Sequence, residues 1–127
     1  IEANIAIDMA RNTILPAAIA YQNFLIENIV GVEEVFGKKG NKMTFPQRDI
    51  LTKTSDLVNE LYASLSNLKE NQIEVDSRKS HHKIANGYGG VITPLIEDLG
   101  GICTQLEGLI DNELWPLPKF HELLFKS

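Results

Sequence analysis

The feature that most constrains the fold is a helical repeat of apolar residues in the middle of the chain. Its members recur at alternating steps of three and four residues: Leu51, Thr54, Val58, Leu61, Leu65 and Leu68. Ile50 and Leu57 widen this stripe, whereas the opposite face carries polar residues such as Lys53 and Glu60. Residues three and four apart lie on one face of an α-helix. The pattern predicts a helix over about 46–71 that covers a core on one side and meets water on the other.

The first segment, about 1–36, shows two apolar stripes of the same period. One stripe runs from Ile7 to Val35 and the other from Ile5 to Val30. A helix with two apolar faces is expected to be buried from two sides. Pro16 interrupts neither stripe, which favours one kinked helix over two separate helices.

The third segment, about 77–113, has a stripe that runs from Tyr88 to Leu109. Asp76 or Ser77 is the expected cap. Pro94 is a second predicted kink. Glycines within "NGYGG" and "LGG" weaken a helix by about 1 kcal/mol each relative to alanine. They indicate either close approach of another backbone or a partly unwound segment around 87–90.

The connection "FGKKGNKMTF" carries the main turn signal. Gly37 and Gly40 flank lysines, a composition that suits a helix C-terminus and a loop. Thr44 and Gln47 have the spacing of a capping box, and Pro46 falls in the first turn of the helix that follows. This connection therefore separates the first predicted helix from the second.

The fold class follows from these periods, since no segment alternates with a period of two residues. We predict a single all-α domain over 1–127, an elongated antiparallel bundle of three long helices. A third helix of that length spans roughly 55 Å at 1.5 Å per residue. A Trp/Pro-containing C-terminal tail, 114–127, with a short terminal helix completes the prediction. The apolar start at Ile1 leads us to expect that the chain continues a longer polypeptide.

Composition excludes several classes of function. The net charge is −5, with basic and acidic residues mixed, so neither a nucleic acid nor an anionic lipid surface is an expected partner. No apolar run reaches the ~18 residues of a membrane span. The single cysteine, Cys103, excludes an internal disulfide and is compatible with a cytoplasmic location.

Residues that could carry chemistry form no recognisable constellation. His81 and His82 are adjacent and point about 100° apart on a helix, so a shared metal is disfavoured against a solvated helix start. "NGYGG" lacks the strand and the Lys-Ser/Thr of a phosphate loop. Cys103 borders the apolar stripe and has no nominated base, so it is interpreted as a small buried hydrophobe. The acidic pairs are interpreted as solvated helix faces: Glu33-Glu34, Glu97-Asp98 and Asp111-Glu113. We assign no catalytic, cofactor-binding or metal residue.

The tail "WPLPKFHELLFKS" is the candidate interaction segment. Its two prolines stop the third helix and stiffen a turn, and an apolar run follows. Folding back onto the bundle is the favoured interpretation, and docking on another domain or subunit remains open. The first helix is the expected receiver of the tail because it has two apolar faces. The tail residues assigned to this interaction are Trp115, Pro116, Pro118, Phe120, Leu123, Leu124 and Phe125.

Two stretches, "IEANIAIDMARNTILPAAIAYQ" and "LEGLIDNELWPLPKFHELLF", resemble the C-terminal region of type III glutamine synthetases, the large and mostly bacterial form. The residues that carry the likeness extend from one end of the chain to the other: Glu2-Ala3, Asp8-Met9, Arg11, Ile14-Leu15-Pro16-Ala17, Pro94, Trp115-Pro116, Pro118 and Leu123-Leu124-Phe125. The extra glycines of "NGYGGVITP" and "DLGGICTQ" depart from the stronger helix formers expected in this family. They put the straightness of the third helix in doubt.

This resemblance implies a function for the parent protein. The parent would be an ATP-dependent ligase that joins ammonia to glutamate with Mg or Mn, in a large homo-oligomer. Its ATP, glutamate and metal residues would lie upstream, and none maps onto this sequence. The chain would be a non-catalytic domain that packs on the catalytic domain of the same chain and on neighbouring subunits, for assembly or regulation. A free-standing helical interaction module is the alternative.

Overall fold

The computed structural model describes residues 2–110, and every regular element in that range is helical. The predicted all-α class is therefore confirmed. Three long helical stretches follow one another: 3–36, 45–76 and 81–109. Their elements are α1 (Ala3–Met9), a π turn (Ala10–Ile14), α2 (Leu15–Phe36), a 3-10 turn (Gly37–Lys39), α3 (Gly40–Met43), α4 (Phe45–Asp76), α5 (His81–Gly87), a second π turn (Tyr88–Ile92) and α6 (Thr93–Leu109).

Both internal prolines are accommodated in the same way. Pro16 and Pro94 each lie two residues after a five-residue π turn. A proline ring clashes with the carbonyl four residues earlier, and here that carbonyl belongs to Asn12 or Gly90, inside the π turn. The extra residue of a π turn gives that carbonyl room. The first and third helical stretches therefore continue through their prolines, as predicted.

The second helix runs farther than predicted, to Asp76 instead of about 71. The stretch "KENQIEVD" looks like a polar connector, but its Val75 is fully buried. The guanidinium of Arg78 then closes the helix end on Glu74, with Nη2 2.8 Å from Oε1. One buried valine and one ion pair extend the helix beyond its apolar stripe.

Neither predicted side-chain cap forms, although Thr44 does hold the N-cap position of the second helix. Thr44 makes no side-chain cap to the second helix, because its hydroxyl donates to the carbonyl of Asn41 at 3.2 Å. The third helical stretch begins at His81 instead of 77, since Ser80 Oγ accepts from the Lys83 amide at 3.1 Å. Its described helix ends at Leu109 instead of 113, where Ile110 is extended with ψ 138°.

The core is formed by the predicted stripe of the second helix, one stripe of the first and the buried residues of the third helical stretch. Leu61, Leu68 and Leu106 are fully buried, and Ala18 packs into the same cluster without exposed surface. Alanines at such positions let two helices approach closely. The other apolar stripe of the first helix is open: Ile5, Ile19, Ile26 and Val30 are about half exposed, at 46–54%. The prediction that the first helix is buried from two sides is thus wrong for the described part of the chain.

Candidate interaction surfaces

The histidines and glycines singled out for chemistry form no site in residues 2–110. His81 and His82 are both exposed, and His82 Nε2 lies 3.3 Å from the Asn86 amide nitrogen. In that range no three His, Cys, Asp or Glu side chains are placed to hold one metal ion. The "NGYGG" glycines have a packing role instead. A Cβ on Gly87 would lie 2.6 Å from Val75 Cγ1, whereas Gly89 and Gly90 face open space in the π turn. Gly87 thus makes room for side chains of the second helix end and not for another backbone, and residues 88–92 form a π turn instead of an unwound segment.

The cysteine is a poor nucleophile. Cys103 is half-buried beside the core, and burial raises the pKa of its thiol to about 11. A thiol with this pKa is almost entirely protonated at neutral pH. The prediction of a small buried hydrophobe agrees in part with this environment, since the side chain is only half-buried.

The acidic pairs are surface groups where the structure describes them. Glu33 pairs with Arg48, whereas Glu34, Glu97 and Asp98 are exposed. Asp111 and Glu113 lie outside the described residues. Tyr88 donates to the carboxylate of Asp76 at 2.6 Å, and this bond raises the pKa of the tyrosine. This hydrogen bond joins the second helical stretch to the third.

A groove lies between the second and third helical stretches. It is open, has a volume of about 470 Å³, and is lined by Lys53, Leu57, Glu60, Gln105 and Leu109 among others. Lys53 is already paired with Asp49 at 2.9 Å. A shallow groove with mixed lining lacks the convergent polar groups of a substrate site.

The turn between the first two helices has a well-defined local structure. Gly37 adopts φ +60°, the left-handed region that favours glycine. Gly40 is buried, and a Cβ there would lie 2.7 Å from the Glu33 Cα, so the backbones touch. The guanidinium of Arg48 donates to the buried Thr44 hydroxyl and to Glu33, which fastens the turn to both helices.

We call residues 35–45 the hairpin tip. Four large apolar side chains point into solvent there: Val35 (75% exposed), Phe36 (49%), Met43 (48%) and Phe45 (70%). Three exposed lysines lie between them: Lys38, Lys39 and Lys42. A rigid, basic and apolar surface of this kind is typical of a protein contact. Sequence analysis missed it, although apolar pairs on both sides of a Gly/Lys-rich turn are visible in "VFGKKGNKMTF".

A second open apolar surface lies along the first helix. Ile19, Ile26 and Val30 share one face because they are spaced by seven and four residues. Gln22, between them, donates to Ser55 Oγ at 2.9 Å, so the edge of this face contacts the second helix. We call the exposed apolar residues of this face the outer row; its members are Ile19, Ile26 and Val30.

The predicted tail residues lie outside the described residues. This applies to Trp115, Pro116, Pro118, Phe120, Leu123, Leu124 and Phe125. The docking of the tail therefore stays a prediction.

No helix within residues 2–110 is both long enough and apolar enough to cross a bilayer. The fold and its surfaces define a helical domain with two open apolar surfaces, the hairpin tip and the outer row, and without an assembled metal cluster in the described range.

Two curated proteins relate this domain to an enzyme. A glutamine synthetase of Bacteroides fragilis (strain YCH46) is 30% identical over 126 residues, which cover 98% of this chain and 17% of that protein. A type-3 glutamine synthetase of Dictyostelium discoideum is 25% identical over the same length and with the same coverage. No family model matches the chain. The chain is a relative of type-3 glutamine synthetases and spans about one sixth of their length.

Proposed function

We infer that the chain is a non-catalytic C-terminal helical domain of a type III glutamine synthetase. The observation that carries this proposal is the coverage of the match. Nearly the whole chain aligns, yet it accounts for only 17% of each synthetase. The parent would be the ATP-dependent ligase of glutamate and ammonia, and this domain would pack on its catalytic domain and on neighbouring subunits. Assembly and regulation are the roles that such packing serves.

The described residues do not fit the cofactors that the parent would use. Magnesium and manganese prefer several carboxylate, carbonyl or water oxygens around one ion. The exposed carboxylates of residues 2–110 do not converge in this way. We therefore assign the binding of ATP and of Mg or Mn to the remainder of the parent and derive no step of the reaction from this chain.

The proposed form of the domain is an elongated antiparallel bundle. Hydrogen bonds join Asn4 to Gln72, Gln22 to Ser55 and Asn28 to Gln47. Increasing residue numbers along the first helix are thus paired with decreasing residue numbers along the second, as in an antiparallel pair. The 32-residue second helix is roughly 48 Å long, long enough to bridge from one domain to another.

The hairpin tip is the proposed contact with the catalytic domain or a neighbouring subunit. Large apolar side chains at the centre of a contact supply most of its binding energy, and a pre-organised turn lowers the entropy lost on binding. Because the tip carries lysines, we expect acidic residues around the contact surface of the partner. The tail, through Trp115, Phe120 and Leu124, is proposed to pack against the bundle, with the first helix as receiver.

Two measurements test this proposal. The purified 127-residue chain, given glutamate, ATP, ammonia and Mg, is expected to form no glutamine, and measurable turnover would contradict a non-catalytic role. A parent synthetase truncated before this chain is expected to form a smaller assembly by light scattering. An unchanged mass would show that the domain does not support assembly. A cytoplasmic location and a bacterial source are part of the same proposal.

The alternative, a free-standing helical interaction module, uses the same exposed surfaces. The reading frame upstream of Ile1 separates the two. A synthetase catalytic domain in that frame supports the proposal made here, and a start codon directly before Ile1 supports the alternative.

A further inference from the structure

One edge of the contact between the first and second helices is joined by polar side chains. The Gln72 amide donates to Asn4 at 2.9 Å, and the Gln22 amide donates to Ser55 at 2.9 Å. Between these two pairs lies a groove with a volume of about 290 Å³, which we call the seam groove. It is lined by Arg11 of the first helix and by Tyr62, Leu65, Ser66 and Lys69 of the second.

The seam groove holds two cations that have no partner. Arg11 and Lys69 are exposed, and neither forms an ion pair or a side-chain hydrogen bond within residues 2–110. Acidic neighbours along the chain do not neutralise them. The carboxylate of Asp8 accepts from Asn12 at 2.7 Å, and Glu70, directly after Lys69, points about 100° away on the helix. Two positive charges that line one groove attract an anion.

The remaining lining of the groove also suits an anionic ligand. Tyr62 and Ser66 are four residues apart and therefore share a face, and both hydroxyls lack a hydrogen-bond partner within the described range. A hydroxyl can donate to an anionic oxygen, and a guanidinium can donate two parallel hydrogen bonds to a phosphate. Leu65 is buried at the floor, and Tyr62 is 63% exposed. The groove thus combines two cations, two hydroxyl donors and one aromatic ring.

The backbone around Arg11 provides a separate observation. This residue lies in the π turn Ala10–Ile14, the turn that also accommodates Pro16. Turns of this type are rare and occur frequently at functional sites. The unpaired guanidinium is therefore carried by an unusual helical turn.

We propose that the seam groove binds a small organic phosphate. Its phosphoryl group lies between Arg11 and Lys69 and accepts from the two hydroxyls, and its organic part packs against the ring of Tyr62. A phosphate monoester carries a charge of about −1.5 to −2 at pH 7, which matches two cations better than the single charge of a carboxylate. The volume of the groove lies near the lower end of the ~300–1,000 Å³ typical of ligand pockets, so the organic part is compact. This site goes beyond the assembly role proposed above and does not depend on it.

The openness of the groove sets the expected strength. Its charged side chains are exposed, so water and salt screen their attraction for the ligand. A Kd on the order of 1 mM at low ionic strength is expected, and the affinity should fall as salt is added.

A titration of the 127-residue chain with phenyl phosphate tests the class of ligand. We expect saturable shifts of NMR amide signals around Arg11 and in the segment from Tyr62 to Lys69. Benzoate keeps the ring with a single charge and should bind roughly tenfold more weakly, and phenol, which is uncharged, should not bind measurably. No saturation at concentrations about tenfold above the expected Kd, or equal binding of benzoate and phenyl phosphate, would overturn the proposal.

Substitutions in the groove test its location. Arg11→Gln and Lys69→Gln should each weaken the binding of phenyl phosphate roughly tenfold and leave the Tm of the free chain unchanged, because neither side chain has a partner to lose. Lys53→Gln is the matched control, since Lys53 lies on the same helix, lines the other groove and is paired with Asp49. It should bind phenyl phosphate as the wild type does. Unchanged affinity in both seam-groove variants, or an equal loss in the control, would refute the site.

Discussion

Gly87→Ala is expected to destabilise the fold even though it places a better helix former inside a helix. Gly87 has helical dihedrals, φ −64° and ψ −43°, so the backbone accepts alanine without strain. The new methyl group, however, would lie 2.6 Å and 2.8 Å from the two Cγ atoms of Val75 and 2.9 Å from Arg78 Nη1. All three distances are too short for real contacts.

The sign of the change follows from two opposing magnitudes. Replacing glycine by alanine in a helix contributes about 0.8–1.0 kcal/mol of stability. Forcing a methyl group into a packed site costs about 1–3 kcal/mol. Val75 cannot easily move away, because it is fully buried and its β-branched side chain is stiff. We expect a net loss of roughly 1 kcal/mol, the difference between these two ranges.

Gly101→Ala is the matched control. Gly101 lies in α6 with nothing within 4 Å of the added Cβ, so only the propensity effect operates. That variant should gain about 0.5–1 kcal/mol. In urea melts the two midpoints should therefore move in opposite directions. Val75→Ala combined with Gly87→Ala should show a favourable coupling energy, since the smaller side chain removes the clash. If Gly87→Ala stabilises the chain as much as Gly101→Ala does, the close helix approach inferred here is wrong.

Three further predictions concern single residues and the tail. Leu61→Ala should cost ~2–5 kcal/mol because Leu61 is fully buried, whereas Glu60→Ala on the exposed face should cost less than ~0.5 kcal/mol; equal losses in denaturant melts would mean that the face is assigned wrongly. Cys103 should react with an aromatic disulfide at pH 8 roughly tenfold more slowly in the folded than in the unfolded chain. The raised pKa lowers the fraction of thiolate, and the greater nucleophilicity of that thiolate offsets only part of the loss. Equal rates would contradict burial of the thiol. Deleting residues 115–127 should lower the Tm of the chain, and Trp115 should show blue-shifted fluorescence that iodide quenches poorly; a red-shifted, freely quenched emission would place Trp115 in water.

Apolar periodicity was enough to predict the three helical stretches, because the pattern is repeated many times along each helix and does not depend on any single residue. The buried stripe with Leu61 and the exposed face with Glu60 were both correct. Boundaries depended on single interactions. Val75 extends the second helix through a contact with Gly87, a residue twelve positions away, and local sequence carries no sign of it.

The candidate surfaces show where sequence periodicity stops being informative. The two stripes of the first helix look alike in sequence, yet one is buried and the other is half exposed. Periodicity reveals that a face is apolar and leaves the identity of its partner open. The hairpin tip was overlooked because a turn rich in glycine and lysine looks like a solvated loop. The packing of Gly40 on Glu33, which makes that turn rigid, depends on two backbones meeting in space.

The central claim is that this domain supports assembly of a glutamine synthetase without taking part in its chemistry. Its most direct test uses the parent synthetase carrying Val35→Ser and Phe45→Ser at the hairpin tip. The mass of the assembly is measured by light scattering, and the enzymatic activity per subunit is measured on the same sample. Ile73→Ser, a change at a similarly exposed apolar site away from the tip, is the control. We predict smaller assemblies for the tip variant and unchanged assemblies for the control. Full-sized assemblies of the tip variant, or activity lost while the mass is unchanged, would contradict the claim.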